Sequence, residues 1–349
     1  MSHLTILFVT THKYLPELRG GMEVNTHQLC KALQHKGHKV AVCCGLAGVG
    51  FIGYQARLKI KLLNNKCPYD SVLGYKIWRS WNPLEHIEKA VGEFKPDIVV
   101  VQGGHQFYAL IKIVLALNLP VVAYLHTPDK LPLPEELKTD KNLAFIANSQ
   151  YTASIHKDKK IQGVFPPIIK KSDYFVETTR KKILYVNPEP HKGVSIVLKL
   201  AKARPDVEFI FVVNKVQDKK NKQLMLKNIS IVGPIKDMRD MYRYAKLILA
   251  PSIWQETWGR IVTEAHCSGI PVLASNNGGL PESVGDGGIC LSVEDNDTEW
   301  LETFDLILDN REYYTKITQK AYESAMRDFI NPELIIERFI SLLNNTINN

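Results

Sequence analysis

The sequence contains no apolar run long enough to cross a membrane. Its most apolar region, residues 109–124, is interrupted by Lys112, Asn118 and Pro120. It therefore falls short of the roughly 20 apolar residues that a membrane helix needs. Residues 1–9 also lack a basic segment followed by an apolar one, so we expect no signal peptide.

The sequence also lacks several motifs that would assign its chemistry directly. It has no Gly-x-Gly-x-x-Gly fingerprint for a dinucleotide, no Asp-x-Asp pair at the end of a strand, no internal repeat and no low-complexity segment. None of its cysteines has a metal-type spacing; they are Cys30, Cys43, Cys44, Cys67, Cys267 and Cys290. The cysteine pattern favours reduced, buried thiols in a cytoplasmic protein.

The net charge of +8 raises the question of an anionic partner. A nucleic-acid reader would show a recognisable motif or aromatic residues interleaved with Lys and Arg on one element, and neither is present, so we expect no nucleic acid. The densest basic run, residues 57–66, alternates basic and apolar residues. It is consistent with peripheral contact to anionic lipid headgroups at the inner membrane face. An exposed edge strand or helix blunted by lysines explains it equally well.

One stretch, residues 251–272, organises the interpretation of the chain. The apolar runs 247–250 and 271–274 on either side are typical of buried parallel strands. A loop and one helix separate them, with Gly259 at the start of the helix, Glu256 just before it and Glu264 inside it. The stretch therefore predicts a strand, a loop, a helix and a second strand.

This arrangement could bind a phosphate between two carboxylates. The first amides of a helix are unpaired donors and attract a phosphate. Glu264 would lie roughly 8 Å further along the helix axis, where its carboxylate could accept hydrogen bonds from a sugar. Two carboxylates on either side of a phosphate pocket match a molecule made of sugar, diphosphate and ribose. A nucleotide sugar has that form.

The same residues carry a family resemblance. Glu256, Gly259, the pair Glu264 and Ala265, the run 269–272 and the run 278–282 together resemble the signature of retaining glycosyltransferases of family four, among the glycosyl transferases group 1. The resemblance implies the GT-B fold, with two Rossmann-like doubly wound α/β domains facing a cleft. It also implies transfer of a sugar from a UDP- or GDP-linked donor to a glycan, lipid-linked or small-molecule acceptor, as in the synthesis of cell-surface polysaccharide or glycoconjugate.

The strand pattern is consistent with that architecture. An apolar strand at residues 4–9, a helix and a strand at 39–43 open a doubly wound domain. We expect residues 1–170 to form an acceptor-side domain and 181–330 a nucleotide-sugar-binding domain. Residues 331–349 are expected to form a helix that crosses back to the first domain. The region between the strand at 39–43 and about residue 81 is predicted to be irregular or a hairpin. The basic run 170–180 is interpreted as the connector between the two domains.

The resemblance also implies roles for individual residues. Lys192 would neutralise the diphosphate, Glu256 would hold the sugar hydroxyls, Glu264 the ribose, and His126 the far side of the sugar. His126 taken alone is more often a structural histidine. The expected catalytic residues are His126, Lys192 and Glu256. The expected donor-binding residues are Gly21, Lys192, Ile235, Glu256, Trp258, Gly259, Arg260 and Glu264.

The sequence departs from the family pattern at one point. Asn187 and Pro188 stand where an Arg usually accompanies Lys192, and Arg260 is the candidate replacement. No metal and no cofactor are implied, because the family neutralises the leaving group with cations and helix amides. Two alternatives stay open: a GT-B nucleotide-sugar epimerase, and a non-catalytic nucleotide-sugar-binding protein.

Overall fold

A computed structural model describes residues 3–103, 106–214, 224, 226–294 and 297–348. The chain divides into two compact units, described separately below. Unit 1 comprises Met1–Ile168 with Pro332–Asn349, and unit 2 comprises Ile169–Asn331. In the described part of the chain, no helix combines the length and the apolar character that crossing a bilayer requires.

Unit 1 is built on an eight-stranded sheet in the order β3-β4-β2-β1-β5-β6-β7-β8. All neighbouring strands are parallel except β3 and β4. The strands are β1 (Thr5–Lys13), β2 (Lys39–Gly45), β3 (Tyr69–Asp70), β4 (Lys76–Ser80), β5 (Ile98–Gln102), β6 (Val121–Leu125), β7 (Leu143–Ala147) and β8 (Ile161–Val164). The helices before the connector are α1 (Gly21–His35), α2 (Gly50–Leu63), α3 (Ile87–Phe94), α4 (Phe107–Ala116) and α5 (Gln150–Ile155).

Apolar side chains cover both faces of this sheet. Along β1, Ile6 and Phe8 point into one core while Leu7 and Val9 point into the other. Successive side chains of a strand lie on opposite faces, so a strand buried on both sides must be apolar throughout. That is why the near-continuous apolar runs of the sequence predict these strands correctly.

Unit 2 has a six-stranded parallel sheet in the order β11-β10-β9-β12-β13-β14. Its strands are β9 (Lys182–Val186), β10 (Phe209–Val212), β11 (Ile229–Val232), β12 (Ala245–Ala250), β13 (Val272–Ser275) and β14 (Gly288–Leu291). Its helices are α6 (Lys171–Tyr174), α7 (Val194–Ala203), α8 (Arg239–Tyr242), α9 (Arg260–His266), α10 (Leu280–Val284), α11 (Asp297–Asp309) and α12 (Arg311–Ser324). Both units therefore have the predicted doubly wound α/β architecture.

The last helix, α13 (Pro332–Ile347), belongs to unit 1. Its Phe339 is fully buried and lies edge-on to Phe165, with ring centroids 5.5 Å apart. Ile335 and Leu343, one turn before it and one turn after it, are also fully buried. The helix thus supplies part of one of the two apolar cores of unit 1.

Two segments differ from the sequence-based expectation. Residues 50–63, predicted to be irregular or a hairpin, form helix α2. Its buried residues are only Gly53 and Ala56, so it lacks the inward apolar stripe by which a surface helix is normally recognised. The run 170–180, interpreted as a connector, is instead integrated into unit 2: the Val176 amide donates to the Ser268 hydroxyl over 2.9 Å.

Candidate functional site

Two loops of unit 2 meet at the point where the strand order of its sheet reverses. Strands β9 and β12 are parallel neighbours, but the chain continues from β9 towards β10 and from β12 towards β13. The chain thus runs in opposite directions after the two strands and leaves a crevice at their carboxyl ends, which is where ligands bind in open α/β sheets. Residues 187–193 follow β9, and residues 251–259 follow β12.

The two loops are joined through their backbones. The carbonyl of His191 accepts hydrogen bonds from the amides of Ile253 (3.0 Å) and Trp254 (2.9 Å). Gly193 has φ +79°, and a Cβ at this position would lie 1.8 Å from the carbonyl oxygen of Pro251. Only glycine allows this approach. The loops therefore form one substructure.

Lys192 and Glu256 form an ion pair at this junction. Lys192 ends the 3₁₀ turn Pro190–Lys192, and its carbonyl accepts a hydrogen bond of 2.9 Å from the Tyr185 hydroxyl. The side chains of Lys192 and Glu256 are 25% and 22% exposed, so both remain within reach of a ligand. The structure thus brings together two residues that the sequence assigns to the site.

The turn at residues 276–279 braces the Glu256 loop. The amide of Gly279 donates to the carbonyl of Glu256 over 2.6 Å, and the amide side chain of Asn277 donates to the carbonyl of Ser252 over 3.0 Å. These contacts fix the backbone that carries Glu256. They also give the glycines of the predicted signature a structural role.

Glu264 lies one turn into α9 and has two partners. Its carboxylate accepts a hydrogen bond of 2.9 Å from the Tyr242 hydroxyl, and the Arg260 guanidinium lies 3.3 Å away. Arg260 also donates to the hydroxyl of Tyr174 over 3.2 Å. The side chains of Arg260 and Glu264 are 11% and 12% exposed. Arg260 is therefore part of a second ion pair and does not point to solvent.

The three other predicted donor-binding residues of unit 2 make their contacts with protein. Trp258 is almost fully buried, and its indole N–H donates to the hydroxyl of Thr263 over 3.1 Å. Ile235 packs at the edge of an apolar core. Gly259 has φ +81°, and a Cβ there would lie 2.5 Å from Leu280. The fold alone explains these three residue types, so any donor contact here would be made by their backbones.

In unit 1, His126 follows β6 and is held by a neighbour on β5. Its Nε2 atom lies 3.3 Å from the side-chain nitrogen of Gln102, whose oxygen accepts a hydrogen bond of 2.7 Å from the Thr26 hydroxyl. The contact between Gln102 and Nε2 fixes the orientation of the imidazole ring. Burial, with a contribution from His12, lowers the pKa of His126 to about 3. The imidazole is thus neutral at physiological pH.

Gly21 is exposed at the first position of α1. The buried carboxylate of Glu23 folds back over this turn and accepts hydrogen bonds from the amides of Gly20 and Glu23. Burial raises the pKa of Glu23. An acidic group therefore already occupies amide donors at this helix start, which weakens the case for a diphosphate contact at Gly21.

Sequence reasoning missed the positioning residues Gln102, Tyr242 and Tyr174. Gln102 carried a signal, since it is a polar residue at the end of an otherwise apolar strand. Tyr242 and Tyr174 carried none, because a tyrosine on a short helix is ordinary core material. In the described residues, no group of three or more His, Cys, Asp and Glu side chains is placed to hold a metal ion.

Comparison with protein families gives two matches. Residues 19–166 match the model described as Glycosyltransferase Family 4, and residues 169–324 match the model described as Glycosyl transferases group 1. Lys192, Glu256, Arg260 and Glu264 lie in the second region. The two regions correspond closely to units 1 and 2 before α13.

Curated relatives align over short stretches. D-inositol 3-phosphate glycosyltransferase of Corynebacterium efficiens is 36% identical over 93 residues, which is 26% of this chain and 22% of the relative. The spore coat protein SA of Bacillus subtilis is 23% identical over 155 residues, covering 40% of this chain and 41% of the relative. The chain thus spans about a fifth of the first relative and two fifths of the second.

Solved structures are similar over the whole length. A glycosyltransferase of Rickettsia africae has a TM-score of 0.76 at 16% identity, covering 100% of both chains. Anabaena HepE, crystallised with UDP and glucose, has a TM-score of 0.73 at 17% identity, covering 98% of this chain and 100% of the other. The sucrose-phosphate synthase of Thermosynechococcus elongatus has a TM-score of 0.77 at 14% identity, covering 98% and 99%. These neighbours show the GT-B fold.

Proposed function

The chain belongs to the glycosyl transferases group 1, and from that premise we propose that it is a retaining glycosyltransferase. It would move a sugar from a nucleotide-diphosphate sugar to a glycan, lipid-linked or small-molecule acceptor. The observation that carries this proposal is the Lys192–Glu256 pair at the strand-order reversal of unit 2. The second pair, Arg260–Glu264, offers another carboxylate and another cation.

The two ion pairs fit the parts of a nucleotide sugar. An ammonium group has three donors, so Lys192 can keep Glu256 and contact a phosphate oxygen at the same time. Glu256 keeps acceptor capacity for the hydroxyls of the transferred sugar. Glu264, held by Tyr242 and Arg260, would accept from the ribose.

The chemical step follows from the charge on the leaving group. As the glycosidic bond breaks, negative charge grows on the diphosphate. Preorganised positive charge is usually the largest catalytic contribution in such a step. Lys192 and the amides at the start of α7 would supply it, with Arg260 adding a guanidinium if it exchanges Glu264 for phosphate. Retention would follow when the acceptor hydroxyl attacks from the face that the diphosphate leaves and gives its proton to a phosphate oxygen.

His126 would serve the substrate as an uncharged hydrogen-bonding group. Its low pKa keeps the imidazole neutral, and Gln102 contacts only its Nε2 atom. A neutral imidazole can bind a sugar hydroxyl without adding charge beside the anomeric centre. This role is adopted from the family resemblance and is supported by the orientation that Gln102 imposes.

The comparisons support a UDP-linked donor, because Anabaena HepE was crystallised with UDP-glucose. We propose UDP or GDP as the nucleotide, no metal and no cofactor. An assay of donor turnover in excess EDTA tests the metal-independent step. Following the product anomer by NMR tests retention, and release of an epimerised sugar without acceptor would favour the epimerase alternative.

The pocket assignment is tested by measuring the contributions of Glu264 and Glu256 to binding separately. Glu264→Gln should weaken binding of free UDP or GDP, whereas Glu256→Gln should weaken only the intact donor. Each loss should be on the order of 1.5–3 kcal/mol, the range for a hydrogen bond to a charged group. Calorimetric titration of both variants with both ligands measures this.

Glu302→Gln, at an exposed position on α11, is the matched control and should bind like the wild type. Equal losses for both ligands in both variants would contradict the assigned direction of the pocket.

A further inference from the structure

Helix α2 presents an apolar stripe to the solvent. Phe51 is 73% exposed, Tyr54 58%, Leu58 37% and Leu62 71%. At 3.6 residues per turn these four positions fall on one side of the helix. Single exposed apolar residues are normal, but a contiguous row of them marks an interaction site.

The side of α2 that faces the protein carries small residues. Gly53 and Ala56 are its buried positions. A Cβ at Gly53 would lie 2.6 Å from the Glu17 carboxylate and 2.5 Å from the Gly48 backbone. The helix therefore packs on the fold through small and half-buried residues, and the four large side chains of the stripe point away from it.

A buried polar anchor holds α2 in place. The Glu17 carboxylate accepts hydrogen bonds from the amides of Gly48 (2.7 Å) and Val49 (3.3 Å), just before the helix. Glu17 is paired in turn with Arg79 at 3.3 Å, and both side chains are only 1% exposed. The position of the helix thus does not depend on its outward residues, so the fold gives no reason for them to be apolar.

Positive charge borders the stripe on both sides. On the helical wheel, Arg57 and Lys61 lie on one flank and Lys59 on the other, and all three are exposed. Residues 50–63 contain no acidic side chain. Trp81, 59% exposed, lies beside Gly48 at the beginning of the helix. Tryptophan is enriched where protein meets the headgroup region of a bilayer.

We propose that α2 is an interfacial anchor by which unit 1 lies on an anionic lipid bilayer. The apolar stripe would enter the boundary between headgroups and acyl chains, and Arg57, Lys59 and Lys61 would contact lipid phosphates. The charge pattern favours lipid over a second copy of the chain. Two α2 helices packed through the stripe would bring like charges together. The proposal does not rest on the enzymatic function.

The test is flotation of the purified full chain with vesicles, without any nucleotide sugar. Wild type should float with vesicles of phosphatidylcholine and phosphatidylglycerol at 3:1, and much less with phosphatidylcholine alone. Arg57→Gln with Lys61→Gln should lower the partition coefficient roughly 25-fold, since each basic residue near an anionic surface contributes about fivefold. Phe51→Ser with Leu62→Ser should abolish binding even at low salt.

Matched controls change exposed residues of unit 2. Lys202→Gln with Lys316→Gln removes the same charge, and Leu306→Ser removes an exposed leucine; both should float like wild type. The Tm of every variant should stay unchanged, because the replaced side chains are exposed. Equal flotation of the α2 and control variants would overturn the proposal. So would α2 variants that alter only the sedimentation coefficient of the free protein, because the stripe would then be a contact between copies.

Discussion

At the scale of single residues, the two signature carboxylates of unit 2 are each neutralised by a nearby cation. Glu256 pairs with Lys192, and Glu264 with Arg260, among side chains that are no more than 25% exposed. A partly buried carboxylate is costly without a partner. These pairs therefore leave the candidate site balanced in charge when no ligand is bound.

Lys192→Ala should lower kcat far more than it raises KM, because in the proposed mechanism Lys192 stabilises diphosphate charge that develops in the transition state. Losing one such contact costs about 3 kcal/mol, or roughly a hundredfold in kcat. Steady-state kinetics with varied donor at saturating acceptor measure kcat and KM separately. Lys202→Ala, an exposed lysine on α7, should behave as wild type. An unchanged kcat in Lys192→Ala would remove this residue from the chemical step.

The buried His266 should make the protein less stable in mild acid. Burial, with Arg327 nearby, lowers the pKa of His266 to about 3, while its unfolded value is about 6.5. Between these two pH values His266 is protonated in the unfolded chain but neutral in the native protein. The free energy of unfolding therefore falls as pH drops from about 6.5 towards 3. By pH 5 the loss should be about 2 kcal/mol from this residue.

Urea unfolding at pH 7.5 and pH 5.0 measures this loss. His266→Gln can still donate a hydrogen bond to the Gly287 carbonyl, which His266 contacts at 3.1 Å, but it cannot take up a proton. It should therefore lose about 2 kcal/mol less than wild type between the two pH values. The same pH dependence in wild type and His266→Gln would show that the pKa of His266 is not lowered in the native protein.

At the scale of elements, the loops of unit 2 are positioned by backbone contacts between residues distant in sequence. The His191 carbonyl accepts hydrogen bonds from the loop after β12. The Gly279 amide donates to the backbone carbonyl of Glu256. A loop fixed in this way can hold side chains as rigidly as a helix does. Disturbing the backbone should therefore affect activity even where no substrate contact is lost.

Gly193→Ala tests this at the closest approach. The new Cβ would meet the Pro251 carbonyl at 1.8 Å and sit at φ +79°. Strained backbone of this kind costs about 1–3 kcal/mol, and displacement of Lys192 should abolish transfer. Gly92→Ala, in the interior of α3 with no atom within 4 Å, should instead stabilise by about 0.5–1 kcal/mol. Thermal unfolding and a transfer assay check both; a fully active Gly193→Ala would contradict the rigid-junction interpretation.

At the scale of the whole molecule, each unit has apolar cores on both faces of its own sheet. The chain nevertheless is not divided into two continuous pieces, because α13 at its end completes unit 1. Phe339 on this helix lies 5.5 Å from Phe165 and 6.4 Å from Tyr124, measured between ring centroids. Unit 1 therefore depends on the last helix for part of its core.

Phe339→Ala should cost about 3–5 kcal/mol, as expected for truncating a fully buried phenylalanine. Hydrogen exchange followed by mass spectrometry should show lost protection in β6 and α1 of unit 1. Leu334→Ala, on the exposed side of the same helix, should stay within about 0.5 kcal/mol of wild type. Loss of protection confined to residues 169–331 would contradict the assignment of α13 to unit 1.

The sequence by itself determined the elements whose burial follows from a local pattern of apolar residues. Apolar runs predicted β1, β12 and β13, and the doubly wound architecture followed from their alternation with helices. The C-terminal helix, expected within residues 331–349, spans Pro332–Ile347. Such signals are local, because a strand buried on both faces or a helix buried along one stripe must be apolar at fixed spacings.

Only the tertiary structure decided what these elements bring together. The Lys192–Glu256 pair joins residues 64 positions apart, and the Gln102–His126 contact joins residues 24 apart. No local pattern encodes such a contact, since it depends on which strands become neighbours. Helix α2 is a second feature that the sequence pattern could not predict. The four apolar residues of its stripe face outward while small residues and the Glu17–Arg79 anchor hold the helix, so a rule that apolar means buried could not find it.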